Sequence, residues 1–291
     1  MKKISIGLLL ILFSINISAS DKNVFREKQI KFIKELYQSG RYFDSIAETG
    51  KLQVTEKKPE IEYFIYSNYF SAGQYDTVIY NYTPDFTSNE LQFTSLLLLS
   101  QSFFKKGLYM ESYEILKNSE YSSLPEKYIF TMFLRRVEPL ILTGETSVID
   151  EEILKSKIFL EDSYNFTKLR EELEQYKKEG LKSPGYAGLL SAVVPGLGQC
   201  YAGYPGEGLI SLLSVAATAA GGVYMKDRGR RGASYTMFFF SGLFYGGNIY
   251  SAYNAAEFRN SELLRSRHNS VVSKYGSYSS GDYIDLESVF R

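Results

Sequence analysis

The stretch SAVVPGLGQCYAGYPGEGLISLL, residues 191–213, mixes glycine and proline with apolar residues and invites comparison with phosphate-binding loops. Such loops need either Gly-x-Gly-x-x-Gly between a strand and a helix or a Walker-type loop closed by Lys and Ser or Thr. Here Gly196-Leu-Gly198 is followed by Gln-Cys-Tyr-Ala-Gly203, which places the third glycine too far along, and no lysine lies between Lys182 and Lys226. The pattern argues against nucleotide binding.

Two adjacent acidic pairs, Glu151-Glu152 and Glu171-Glu172, are the other candidates for chemistry. Neighbouring residues on a helix do not share a face, so we interpret both pairs as solvated charges rather than catalytic carboxylates. The chain has one cysteine and one histidine, too few for an intramolecular disulfide or a His/Cys metal site. We therefore expect no enzyme activity, no catalytic residue, no cofactor and no metal.

The overall charge gives no sign of a nucleic-acid partner. The chain carries 33 basic and 33 acidic residues, so no long-range field favours an anionic polymer. The elements that must position any functional residue are helical, because apolar residues recur at helical rather than alternating spacing. We expect an all-α protein.

The N-terminus has the three-part layout of a secretory signal peptide. Two lysines precede an apolar run from Ile4 to Ile17, and small residues follow before Asp21. We predict that residues 1–20 form a cleaved signal peptide, and that the mature chain is exported across a bacterial inner membrane.

Three segments in the first half share a glycine followed two residues later by a tyrosine: Gly40 and Tyr42, Gly73 and Tyr75, and Gly107 and Tyr109. The glycines are 33 and 34 residues apart. A glycine can end a helix in a left-handed conformation without steric cost, and the tyrosine then begins a second helix. Each segment is predicted to be a helical hairpin.

This spacing and grammar resemble tetratricopeptide repeats. The chain departs from that family in having no tryptophan and in placing Ser45, Val78 or Ser112 where a second-helix alanine is usual. A fourth, degenerate unit is predicted around Gly144, with Pro139 marking a helix break or start. The resemblance implies a solenoid over residues 21–149 that binds a protein or peptide partner.

Residues 150–182 are rich in Glu, Lys and Leu, and we predict one helix that caps the repeats and leads onward. Beyond it lie two uncharged runs, residues 208–225 and 233–256, which predict a transmembrane helical hairpin. The loop between them, residues 226–232, contains the basic residues Lys226, Arg228, Arg230 and Arg231. Export of the repeats places this loop in the cytoplasm, as the positive-inside rule requires.

The glycine-rich stretch introduces this hairpin, and the region spans residues 183–258. It resembles the TM-two domain family, and more closely a bacterial Pro-Gly-x-Gly-Gln-x-Tyr-x-Gly variant, through Pro195, Gly196, Gly198, Gln199, Tyr201, Gly203 and the following Gly208. We expect proline and glycine to break a short apolar helix into a re-entrant or interfacial elbow. Gln199 and Tyr201 are then expected to bond freed backbone groups at the membrane surface.

The tail, residues 259–291, is polar and predicted to be flexible. These observations favour an exported adaptor or scaffold of bacterial envelope assembly, with its repeats in the periplasm and its hairpin in inner-membrane lipid. The alternative is an oligomeric membrane component, a pore or transport accessory, in which small residues such as Gly242 and Gly246 bring several hairpins together as a homo-oligomer.

Overall fold

A computed structural model of the chain describes residues 19–55, 58–83, 89–120 and 126–276. Within those ranges all regular structure is helical, which confirms the all-α class. The helices are α1 (Ala19–Gln38), α2 (Tyr42–Thr55), α3 (Pro59–Ser71), α4 (Tyr75–Asn81), α5 (Asn89–Lys105), α6 (Tyr109–Lys117), α7 (Glu126–Thr143), α8 (Thr146–Leu160), α9 (Tyr164–Lys178), α10 (Pro184–Val193), α11 (Leu197–Ala202), α12 (Pro205–Asp227) and α13 (Arg231–Tyr275).

The chain forms two compact units, one with α1–α6 and one with α7–α13. The division falls between Pro125 and Glu126, earlier than the end of the repeats expected at residue 149. The helices around Gly144 therefore pack with the C-terminal part of the chain. Most of the predicted signal peptide, and the tail beyond residue 276, lie outside the described residues.

Each predicted hairpin turns at its glycine in the same way. Gly40, Gly73, Gly107 and Gly144 have φ values of 76°, 74°, 78° and 75°, the left-handed conformation expected of them. Around the first turn, the N–H of Gly40 donates to the carbonyl of Tyr37, and the N–H of Arg41 donates to that of Leu36. This is a Schellman motif, which satisfies the last carbonyls of the helix, and it recurs at the other three glycines.

The residues that replace the usual alanine lie in the interior of the first unit. Ser45, Val78 and Ser112 are each fully buried. The hydroxyl of Ser112 lies 2.9 Å from the hydroxyl of Ser100 on the facing helix, so the extra polar atom is satisfied. Serine can therefore replace alanine at this contact, provided that its hydroxyl forms a hydrogen bond.

Two expectations for residues 126–182 are wrong. Pro139 lies inside α7 and neither breaks nor begins a helix. A proline costs a helix one hydrogen bond, but its neighbours Val137 and Leu140 are fully buried, and their packing holds the helix together. Residues 150–182 form parts of two helices rather than one, because Ser163 caps the start of α9 by accepting from the N–H of Phe166.

The acidic pairs are also not fully solvated. Glu152 is completely buried and pairs with Arg136, itself 1% exposed, at 3.0 Å. The side chain of Glu172 is 12% exposed, whereas Glu171 is 54% exposed. Adjacent helical residues point about 100° apart, so one member of each pair faces a neighbouring helix while the other faces solvent. The two members of each pair therefore do not share a face, as expected, but Glu152 and Glu172 are not surface residues.

Among the helices of the described residues α13 is the longest, and its 45 residues extend over about 67 Å. It continues to Tyr275, so residues 259–275 of the expected flexible tail are helical. Its C-terminal half packs against α7 and α9, which supply the contacts that a polar helix of low intrinsic stability needs.

Among the described residues one helix, α12, is long and apolar enough to cross a membrane. Only 11% of an apolar 18-residue stretch of this helix is buried. The second expected span corresponds to the first half of α13, where Tyr, Gly and Asn dilute the apolar residues and the same criterion is not met.

Candidate functional site

The elbow motif lies in a cluster of four helices, α10–α13. Helix α10 runs antiparallel to α13: the backbone of Lys182 is bonded at both N–H and C=O by the amide of Asn260, and the Tyr245 hydroxyl donates to the carbonyl of Ala192. Between these ends, Ala187 packs with Ala252. After Val194-Pro195-Gly196 the short helix α11 runs back along α10, since Gly198 bonds Ser191 and Tyr201 bonds Ser183. Helix α12 follows.

The helix break at Pro195 frees backbone groups, and side chains from α10 and α13 bond them. The N–H of Gly196 donates to Oδ1 of Asn248 at 2.9 Å, and the N–H of Gly198 donates to the hydroxyl of Ser191 at 2.9 Å. Nδ2 of Asn248 donates to the carbonyl of Ser191 at 3.1 Å. Asn248 is 4% exposed, so it serves both sides of the break away from solvent.

Gln199 completes this network. It is fully buried. Its Oε1 accepts from the Ser191 hydroxyl at 2.9 Å, and its Nε2 donates to the carbonyl and Oδ1 of Asn248 at 3.1 and 3.2 Å. Ser191, Gln199 and Asn248 thus connect α10, α11 and α13, and the network here is named the elbow network.

The glycines of the motif allow backbone segments to touch. A Cβ on Gly196 would lie 2.0 Å from the carbonyl oxygen of Gly208, and a Cβ on Gly208 would lie 2.4 Å from the carbonyl oxygen of Gly196. A Cβ on Gly198 would lie 2.0 Å from the carbonyl oxygen of Ala187. Gly196 and Gly203 also have φ values of 90° and 99°, which side chains disfavour.

Tyr201 bonds a backbone group at the start of α10 rather than one freed by the break at Pro195. Its hydroxyl accepts from the N–H of Ser183 at 3.1 Å, where α10 begins. The ammonium of Lys182 lies 4.7 Å from the centroid of the same ring, and Tyr186 packs edge-on against it at 5.2 Å. Tyrosine and lysine therefore cluster at the end of α10 that lies away from the break.

The predicted basic loop connects α12 to α13, and its cations are exposed. Helix α12 ends at Asp227 and α13 begins at Arg231, with Gly229 in the left-handed conformation between them. The guanidinium of Arg228 lies 5.0 Å from the ring centroid of Tyr224. The six repeat-defining residues, by contrast, lie in the first unit, at the ends and starts of its helices.

A second polar centre joins α9 to the C-terminal half of α13. The carboxylate of Glu172 accepts from Tyr176, from Ser270 at 2.7 Å and from Lys274 at 2.9 Å. Burial opposes ionisation of Glu172, but these three hydrogen bonds outweigh it and hold the pKa of the carboxyl below its ordinary value. Burial, together with the hydrogen bond to Glu172, raises the pKa of Tyr176. These side chains line a cleft of about 680 Å³.

Sequence reasoning missed Ser191 and Asn248, and it interpreted Glu172 as a solvated charge. A signal for the first two was present, because polar residues inside long uncharged runs need partners within the protein. Nothing in the sequence indicated which member of the Glu171-Glu172 pair faces α13. Among the described residues, no cluster of three or more His, Cys, Asp or Glu side chains is placed to hold a metal ion.

Comparisons of the chain with known protein families, with curated proteins and with solved structures find no match.

Proposed function

We propose that this protein is a membrane-anchored, exported adaptor or scaffold that binds other proteins during assembly of a bacterial envelope. In this proposal the helical hairpins of α1–α6 bind a protein or peptide, α12 and the first half of α13 cross the inner membrane, and the basic loop lies in the cytoplasm. The role is binding rather than catalysis, and it involves no cofactor and no nucleic acid.

The observation that carries the anchor is the outward-facing apolar surface of α12. Leu209, Ile210 and Leu213 are 56%, 66% and 58% exposed, although their helix is among the most apolar in the described chain. A protein in water seldom leaves so continuous an apolar surface uncovered, whereas lipid covers it without cost. The hydroxyls of Ser214 and Thr218 are bonded to carbonyls within the helix, which suits an apolar solvent.

Partner binding is supported by exposed aromatic side chains on the first helix. Phe25 and Phe32 lie seven residues apart on one face of α1 and are 70% and 46% exposed. Exposed aromatic residues supply large contact areas at protein interfaces. The repeated hairpin geometry favours a stacked array, because a single hairpin cannot bury its own apolar face.

The test is photo-crosslinking in cells that express the full chain. A crosslinker at Phe32 is expected to capture a defined protein, and Phe25→Glu is expected to abolish that product. The matched control replaces Phe43 and Tyr80 by Glu, since these aromatic residues are 60% and 83% exposed on second helices. Equal loss of crosslinking in test and control variants, or no loss in either, would remove the adaptor proposal.

A second candidate, the oligomeric membrane component, is favoured by Gly242 and Gly246. They lie one turn apart on α13, are exposed, and leave open space where a Cβ would be. Small residues at this spacing let helices associate closely in lipid. If this function is correct, Gly242→Ile and Gly246→Ile abolish self-crosslinking and ion flux in liposomes, whereas Ala217→Ile on α12 has no effect.

A further inference from the structure

The position of α10 and α11 relative to the bilayer follows from helix lengths and from the residues that mark the lipid surface. Tyr204 precedes α12, and Tyr224 lies near its other end beside Arg228. These tyrosines are 20 positions apart, which corresponds to about 30 Å of helix, the thickness of a hydrocarbon core. Tyrosines are enriched at the two lipid–water boundaries of membrane proteins.

The start of α10 lies at the same boundary as Tyr204. Tyr186 and Lys182 both contact the ring of Tyr201, and Tyr204 packs against Phe258 with ring centroids 6.3 Å apart. This aromatic cluster lies at the end of α12 opposite the basic loop, which is the exported side under the proposed topology. Helix α10 therefore begins at the exported surface of the membrane.

From that surface α10 descends along α13 rather than lying across it. Its contacts with α13 run from Asn260, beside Lys182, to Tyr245, beside Ala192. Tyr186 and Val193 are seven positions apart, which corresponds to a descent of about 10 Å. The turn at Val194-Pro195-Gly196 is then roughly 20 Å from the cytoplasmic boundary, and α11 returns to the exported side.

The outer face of α10 is apolar, and the face that packs against α11 and α13 carries the hydrogen bonds of Ser191. Tyr186, Leu189 and Val193 are spaced along one face and are 49%, 61% and 74% exposed, and residues 183–206 contain no charge. Non-helical backbone at membrane depth is tolerated only where protein groups satisfy it. The elbow network does this, because Ser191 and Asn248 bond the groups freed at the break.

We propose that α10 and α11 form a re-entrant hairpin that enters the exported leaflet, contacts its acyl chains through Tyr186, Leu189 and Val193, and returns without crossing. Four helices then occupy the exported half of the bilayer, and two occupy the cytoplasmic half. The inference rests on the proposed membrane anchor. It resolves the choice between a re-entrant and an interfacial elbow.

The experiment measures depth along α10 in the full-length protein, reconstituted in phosphatidylcholine–phosphatidylglycerol vesicles. Cys200, the only cysteine, is replaced by alanine, and single cysteines at positions 186, 189 and 193 carry a fluorophore. Quenching is compared between lipids with nitroxides near the headgroup and lipids with nitroxides deep in the acyl chain. The ratio of deep to shallow quenching is expected to rise stepwise from position 186 to position 193.

A constant ratio along the three positions would overturn the proposal in favour of a helix lying in the interface. Labelling of Val193→Cys by a membrane-impermeant thiol reagent from the cytoplasmic side would overturn it in favour of a crossing. Leu213→Cys on α12 separates the two claims, since its quenching tests the anchor alone. Quenching at 213 without quenching on α10 removes the re-entrant hairpin and leaves the anchor.

Ile158→Cys provides the matched control outside the membrane. Ile158 is an apolar residue of α8 in the same compact unit and is 84% exposed. It is expected to show no quenching by either lipid. Quenching at position 158 equal to that at position 193 would show that exposure alone, rather than membrane depth, explains the signal, and would overturn the proposal.

Discussion

Replacing Asn248 by leucine isolates the contribution of the elbow network. Leucine keeps the branched shape of asparagine but removes the acceptor for the N–H of Gly196 and the donor to the carbonyl of Ser191. Both backbone groups are then left buried without these partners, and each such group costs about 1–3 kcal/mol. The free energy of unfolding is expected to fall by about 2–6 kcal/mol, with the lower end favoured in lipid-like surroundings.

Asn260→Leu is the matched control, because Asn260 makes an equivalent two-point contact with the backbone of Lys182 at 2.8 Å for each bond. These bonds are exposed, so water replaces them and the expected loss is below about 1 kcal/mol. The assay is reversible unfolding of the detergent-solubilised protein, followed by helical circular dichroism, with protease cleavage near Pro195 as a second readout. Equal destabilisation by the two variants, or a neutral Asn248→Leu, would refute the reasoning.

Three further predictions concern the elbow glycines, the contact between α9 and α13, and topology. Gly196→Ala should destabilise the protein by about 2–4 kcal/mol, since its Cβ overlaps Gly208, whereas Gly206→Ala, with open space around it, should change the melting temperature little. Because the pKa of Glu172 is lowered on folding, its stabilising contribution is present above the ordinary glutamate value of 4.5 and is lost as pH falls through the folded value. Glu172→Gln should therefore flatten the dependence of unfolding free energy on pH below about 4.5, and an unchanged curve would rule out this carboxylate as its source. Neutralising the four basic residues of the loop between α12 and α13 with glutamine should increase the fraction of chains with inverted orientation, measured by the accessibility of a terminal tag.

The helical hairpins could be predicted from sequence because their determinants are local. A glycine in the left-handed conformation and the two hydrogen bonds around it involve residues within five positions of one another, as at Leu36 and Arg41. The break at Pro195 is local for the same reason. Pro139 locally disfavours a helix, but burial of its neighbours Val137 and Leu140 outweighs this preference.

The elbow network could not be predicted because its members are distant in the chain. Asn248 is 52 residues from Gly196, and nothing in the spacing of either indicates the pairing. The helical state of residues 259–275 depends likewise on contacts with α9, such as those of Ser270 and Lys274 with Glu172. The polarity of residues 259–275 predicted a flexible tail, but packing against α9 makes them part of α13.

The most direct test of the central claim, an exported domain on an inner-membrane anchor, is protease accessibility in intact and osmotically opened cells followed by carbonate extraction of the membranes. The account predicts that α1–α6 are cleaved only after the outer barrier opens and that a fragment containing α12 and α13 resists extraction. Release of that fragment by carbonate would mean that α12 is covered by protein rather than lipid. That result would contradict the anchor and, with it, the proposed topology.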